Sequence, residues 1–163
     1  MKSQKPVTEI LLKNLIELLN KGNSHVLLED ALNNIPFGLL SKTPENLPYN
    51  LWQMSEHIRI SQKDILEFSR NPKYKSPKWP EGYWPTNTKP STEDEWENCL
   101  SQIKEDKESF IALLKEKAEY LYEPFEHGNG QTLLREALVL ADHNSYHTAE
   151  IIVLRRLLGN WGK

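Results

Sequence analysis

Residues 132–158 read TLLREALVLADHNSYHTAEIIVLRRLL, with Gly159 directly after them. No proline or glycine interrupts the run, apolar residues recur at three- and four-residue intervals, and a threonine stands at its head. This pattern predicts one long helix from about Thr132 to Leu158. His143 and His147 lie four residues apart within it, which puts both imidazoles on one face with Cβ atoms about 5–6 Å apart. At about 100° per residue, that direction is shared by Leu133, Glu136, Val139, Leu140, Tyr146, Glu150, Ile151, Leu154 and Leu158. The face is largely apolar, so the histidines point inward, and imidazoles buried side by side need a proton partner or a metal. The opposite side is apolar too, with Leu134, Leu138, Ala141 and Ile152. A helix apolar all round must be buried all round, either by further intrachain packing or by a second copy of the chain.

Working outward, the other segments supply helical partners. Residues 7–21 carry Ile10, Leu11, Leu15, Leu18 and Leu19 at helical spacing, ended by Gly22 and Asn23. Ser24 can cap a second helix through Val26, Leu27, Leu28, Ala31 and Leu32, stopped by Pro36. Residues 36–49 hold three prolines and read as loop. A helix follows over about 50–70, with Tyr49 or Asn50 before it and Asn71-Pro72 after it. Residues 71–91 contain five of the ten prolines together with Tyr74, Trp79, Tyr83 and Trp84. So many aromatic side chains predict an ordered loop laid over one end of the molecule. Ser91 or Thr92 starts a further helix, with Glu93, Asp94 and Glu95 suited to the positive end of its dipole and a core stripe of Trp96, Leu100, Ile103, Phe110 and Leu114. A break at 124–130 precedes the last helix. No segment alternates with a strand's period of two. The prediction is an all-α bundle forming one domain over 1–163, with an amphipathic helix over 1–22 and the ordered loop at 71–91.

Composition limits the function. The net charge is -3 and Lys and Arg are not clustered, so the chain lacks the basic face that a nucleic-acid binder needs. No run approaches the roughly 18–20 apolar residues of a membrane span. Cys99 is the sole cysteine, which excludes an internal disulfide or a cysteine-built zinc cage, and it reads as a small core residue. With no signal-peptide core at the N-terminus, the expected location is the cytoplasm.

A third ligand for His143 and His147 would have to come from elsewhere. His57 sits mid-helix on a face with Asn50, Gln53, Met54, Ile60, Ser61, Asp64, Ile65 and Phe68, a mixture that suits the wall of a polar pocket better than a packing face. Spacing alone leaves two readings open: ligation by three histidines, or hydrogen-bonded core histidines. The stretches Leu51-Trp52-Gln53-Met54-Ser55-Glu56-His57-Ile58 and Leu140-Ala141-Asp142-His143-Asn144-Ser145-Tyr146-His147 resemble the DinB/YfiT-like superfamily of metal-binding four-helix bundles. Asp64-Ile65-Leu66-Glu67-Phe68-Ser69-Arg70 and Gly130-Gln131-Thr132-Leu133-Leu134-Arg135-Glu136 share the likeness, which runs from about Gly22 to the end. The resemblance implies His57, His143 and His147 as metal ligands, one zinc or nickel ion, an up-down-down-up four-helix bundle with an extra N-terminal helix, and homodimers. It also implies relatives that are thiol S-transferases using low-molecular-weight bacterial thiols, and a maleylpyruvate isomerase.

Three imidazoles leave a divalent ion with open positions, as in catalytic rather than structural sites. The residue after His143 is Asn144, not the glutamate that serves as base in His-Glu-x-x-His metalloproteases, which argues against that activity. Glu136 and Glu150, seven residues either side of His143, could act as base, orient a ligand or close the fourth position, or could instead form ordinary ion pairs. Gln53, one turn before His57, could contact water or substrate, and Asp64 shares the ambiguity of the glutamates. His25 suits a helix start or a pocket rim, His127 a loop contact, and Tyr146 packing beside the histidine pair. The expectation is a metal-dependent enzyme acting on a small molecule, thiol S-transferase-like or hydrolase-like. The alternative is a non-catalytic, metal-stabilised bundle.

Overall fold

The computed structural model describes residues 5–162; residues 1–4 of the expected N-terminal helix lie outside them. Five α-helices follow in order: α1 (Lys5–Asn20), α2 (Leu28–Leu32), α3 (Leu51–Arg70), α4 (Glu93–Glu116) and α5 (Leu133–Leu157). Short 3-10 turns lie at Phe37–Leu39, Glu81–Tyr83 and Ala118–Tyr120. No strand occurs among the described residues; a single isolated bridge pairs Pro124 with Thr132. The architecture is an all-α bundle, in which α3 packs against both α4 and α5 and α1 lies on α4 and α5.

The helix starts follow local chemistry. Asn50 accepts from the Gln53 N–H while the Gln53 side chain accepts from the Asn50 N–H, a reciprocal cap that satisfies two otherwise orphaned donors. Thr92 and Thr132 cap α4 and α5 in the simpler way, through their hydroxyl oxygens. At the far end of α5, Gly159 takes a φ of 72°, the left-handed conformation that glycine adopts without strain.

The second segment departs from its apolar pattern. Helix occupies only Leu28–Leu32, and Leu27, not Ser24, precedes it without a side-chain cap. The chain first makes a tight turn, in which the His25 N–H bonds the Gly22 carbonyl at 2.8 Å. Asn23 has a φ of 46°. A Cβ on Gly22 would fall 1.8 Å from the His25 carbonyl oxygen, so the turn requires glycine there.

Two apolar clusters fill the bundle. One gathers Trp52, Met54, Ile58, Ile103, Ile151 and Leu154 around α2. The other joins Leu15 and Leu19 of α1 to Leu66, Phe110, Leu114 and Leu140. Between them Gln62 accepts from Asn144 Nδ2 at 2.9 Å and donates to the Ile103 carbonyl, linking α3, α4 and α5. Cys99 is buried in the first cluster, as its sequence context predicts, and burial pushes its thiol pKa up. Arg155 is buried as well. Its guanidinium donates to the carbonyls of Ala31, Asn33 and Asn160 and to Asn160 Oδ1, and it lies over the Trp161 ring. It thereby fastens α2 to the turn after α5.

The apolar residues of α5 that face away from the histidines are not all covered. Leu134, Ala141 and Ile152 are partly buried, but Leu138 is 49% exposed, and Val153 and Leu157 are exposed as well.

Candidate metal centre

α3 and α5 run side by side, and the middle of each contributes to one cluster of imidazoles. His57 Nε2 lies 3.1 Å from His147 Nε2 and 3.3 Å from His143 Nε2. Among the described residues these three have ligand atoms that converge, all within 4.8 Å of one another. His57 and His147 are buried and His143 is partly so.

The outer nitrogens decide what the inner ones can do. His57 Nδ1 sits 2.8 Å from the Tyr83 carbonyl oxygen, so it must carry the proton and donate. His147 Nδ1 sits 2.6 Å from Glu150 Oε2 and donates likewise. With both rings neutral, as a metal requires, both Nε2 atoms present lone pairs to each other across 3.1 Å. Two acceptors at that distance repel, whereas a cation between them turns the same geometry into ligation. Zinc–nitrogen bonds of about 2.0–2.1 Å at tetrahedral angles place ligand nitrogens about 3.3 Å apart, matching the separations here. Burial lowers the pKa of His57, and burial together with the other two imidazoles pushes that of His143 down to about 3. Neutral imidazole is the form that binds a metal.

A sheath of contacts holds the three rings. Glu150 accepts from His147 on one oxygen and from the Tyr49 phenol, at 2.6 Å, on the other. That hydrogen bond raises the Tyr49 pKa to about 12, so the phenol stays protonated. Trp84 stacks on His57 with centroids 4.3 Å apart, and Tyr49 stacks on Trp84. Tyr146 stands edge-on to His147 and is 63% exposed. His143 Nδ1 is buried without a partner.

The sequence model of the DinB superfamily matches residues 24–151. The chain belongs to the DinB superfamily. The match spans α2, α3, α4 and α5 as far as Ile151, and so takes in all three converging histidines of this DinB-superfamily protein while leaving out α1. No curated protein and no solved structure matches the chain.

The other sequence-derived candidates fall in different places. Glu150 touches the centre through His147. Glu136 is buried and paired with Arg135 at 2.5 Å, two turns, or about 10 Å, along α5 from His143. Gln53 spends its side-chain oxygen on the α3 cap. Asp64 accepts from the Tyr83 hydroxyl at 2.7 Å, and burial together with Asp64 raises the pKa of that phenol. His127 packs between Phe68 and Phe125 and bonds the Phe68 carbonyl. His25 meets Ser145 on the other flank of α5. The sequence reading missed Tyr49, the Tyr83 carbonyl and Trp84 as members of the site. The density of aromatics in 71–91 marked the loop but not the residue, and nothing marks Tyr49, whose partner lies 101 positions away.

Proposed function

We propose that His57, His143 and His147 hold one divalent ion, zinc or nickel, and that the protein is a metal-dependent transferase acting on small thiols. The observation that carries this reading is the commitment of both nearby glutamates elsewhere: Glu150 to His147 and Tyr49, Glu136 to Arg135. A structural zinc site is closed by four protein ligands, while a catalytic one keeps a position for water or substrate. With neither glutamate free to close the shell, the open arrangement is the better supported.

The bound ion would supply Lewis acidity, lowering the pKa of a thiol or water that reaches it. The chain's own groups do the positioning. Tyr83 and Glu150 fix two imidazole tautomers so that Nε2 faces inward. Trp84 covers one face of His57 and keeps water from it. A hydrolase draws on a general base, and Glu150 is already engaged with His147 and Tyr49. A thiol starts from a pKa of about 8.5 against about 15.7 for water, so the same ion carries it further into its anionic form, which favours thiol transfer over the hydrolase-like reading of the same centre. The reading includes a small-molecule substrate and a homodimer, the latter supported by the exposed Leu138, Val153 and Leu157 on α5; a single monomeric boundary in sedimentation at micromolar concentration would remove the dimer.

The test is elemental analysis of protein purified without a histidine tag, alongside His57→Ala and His147→Ala, followed by assay of glutathione and cysteine with monochlorobimane as the acceptor. One ion per chain, lost in both variants together with conjugation, is the expected result. A stoichiometric ion with no conjugation would instead support the non-catalytic, metal-stabilised bundle, and metal-free wild type after incubation with zinc or nickel would sink both readings.

A further inference from the structure

On the flank of α5 away from the imidazoles lies a cavity of about 400 Å³, bounded by the end of α1, the α1–α2 turn, α3, α4 and α5. None of the three converging histidines lines it. Its size is that of a small-molecule site. We propose that this cavity is a second binding site, for an uncharged, mainly apolar small molecule that carries one hydroxyl or N–H donor.

The walls set the body of the ligand. Leu18, Leu27, Leu28, Ile103, Leu138 and Ala141 give an apolar lining. The polar groups deeper in are satisfied by the protein itself. Gln62, only 1% exposed, donates to Ile103 and accepts from Asn144, and Thr148 gives its proton to the Asn144 carbonyl at 2.6 Å. Charge at the rim is balanced: Lys107 pairs with Glu29, and Lys21 and Asp142 line the same space. An ionised ligand would meet a like charge and give up its hydration in an apolar enclosure.

The mouth sets the polar group. His25 Nδ1 lies 2.8 Å from the Val26 carbonyl and must donate to it, so His25 Nε2 accepts from the Ser145 hydroxyl at 3.1 Å. Both nitrogens of His25 are spent, but Ser145 Oγ keeps acceptor capacity. Ser145 Oγ is thus the acceptor on this wall that a ligand hydroxyl or N–H can meet.

The probe is 2-naphthol, compared with naphthalene, which has no donor, and 2-naphthoate, which is charged; binding to the full chain is followed by fluorescence and calorimetry with and without a chelator. The expected result is saturable one-site binding of 2-naphthol that the chelator does not change, at least about tenfold tighter than 2-naphthoate. Ala141→Phe, which fills the cavity, and Leu18→Lys, which charges its rim, should each weaken binding about tenfold while leaving metal content intact. Ser145→Ala should remove the preference for 2-naphthol over naphthalene. Absence of saturable binding, full sensitivity to the chelator, or unchanged affinity in both cavity variants overturns the proposal; equal binding of 2-naphthoate overturns the ligand class.

Discussion

His143 is the imidazole of the three whose second nitrogen finds no partner. Its pKa, pushed down to about 3 by burial and by His147 and His57, keeps it neutral in the folded chain, whereas unfolded it takes a proton near its ordinary value of 6.5. The unfolded state therefore gains protons first as pH falls. The associated stability is fully present above about pH 6.5 and is lost progressively down to about pH 3, and at pH 5 the loss is about 1–2 kcal/mol. Burial acts on His57 in the same direction. Metal-stripped protein should show a melting temperature that drops between pH 7 and 5, and His143→Asn should flatten that dependence; parallel curves would refute the assignment. Glu150 has a separate role, orienting His147. Glu150→Ala should weaken metal binding about 10–100-fold in chelator competition, and Tyr49→Phe should weaken it less, since it removes only the outer hydrogen bond. At this scale the pair His143 and His147 was legible, since a four-residue spacing on one helix face is a local property, and His57 joined it through the family resemblance. Tyr49, Tyr83 and Trp84 were not, because each acts through a contact that only the folded chain brings about.

Helix beginnings carry their signals in the side chains that make them. Asn50, Thr92 and Thr132 stand at the expected starts of α3, α4 and α5. The cap on α3 does more than begin a helix, since Asn50 Nδ2 also donates to the Thr88 carbonyl at 2.8 Å and so anchors the loop that supplies Tyr83 and Trp84. Asn50→Ala should cost about 1–2 kcal/mol, seen as a fall of roughly 3–6 °C in melting temperature. It should also weaken metal binding, which an ordinary surface cap would not do; unchanged metal affinity would confine Asn50 to the helix start. α2 was the element the sequence misled about. The run from Val26 to Leu32 has helical apolar spacing, but the Gly22–His25 turn consumes the residues that would have formed its first turn.

For the molecule as a whole, the clue was a run of long helices without any strand pattern, which makes a bundle. The tertiary fastening by Arg155 had no such clue, because its acceptors are backbone carbonyls of α2 and the C-terminal turn. An ion held by the three histidines would join α3 to α5 and, through the Tyr83 carbonyl, to the 71–91 loop. Loading at about a thousand times its dissociation constant adds about 4 kcal/mol, or roughly 8–16 °C in melting temperature for a chain of this size. A chelator should reverse the gain, and His147→Ala should show none of it.

Trp84 lies flat on His57, at an interplanar angle of 9°. An indole so close to a ligating ring is an optical reporter that needs no dye. Nickel, with its open d shell, should quench the emission of Trp84, while zinc, with a filled shell, should leave it bright. Subtracting the spectrum of Trp84→Phe isolates that signal from the other four of the five tryptophans, so the identity of the cation can be read in a cuvette as it is titrated in.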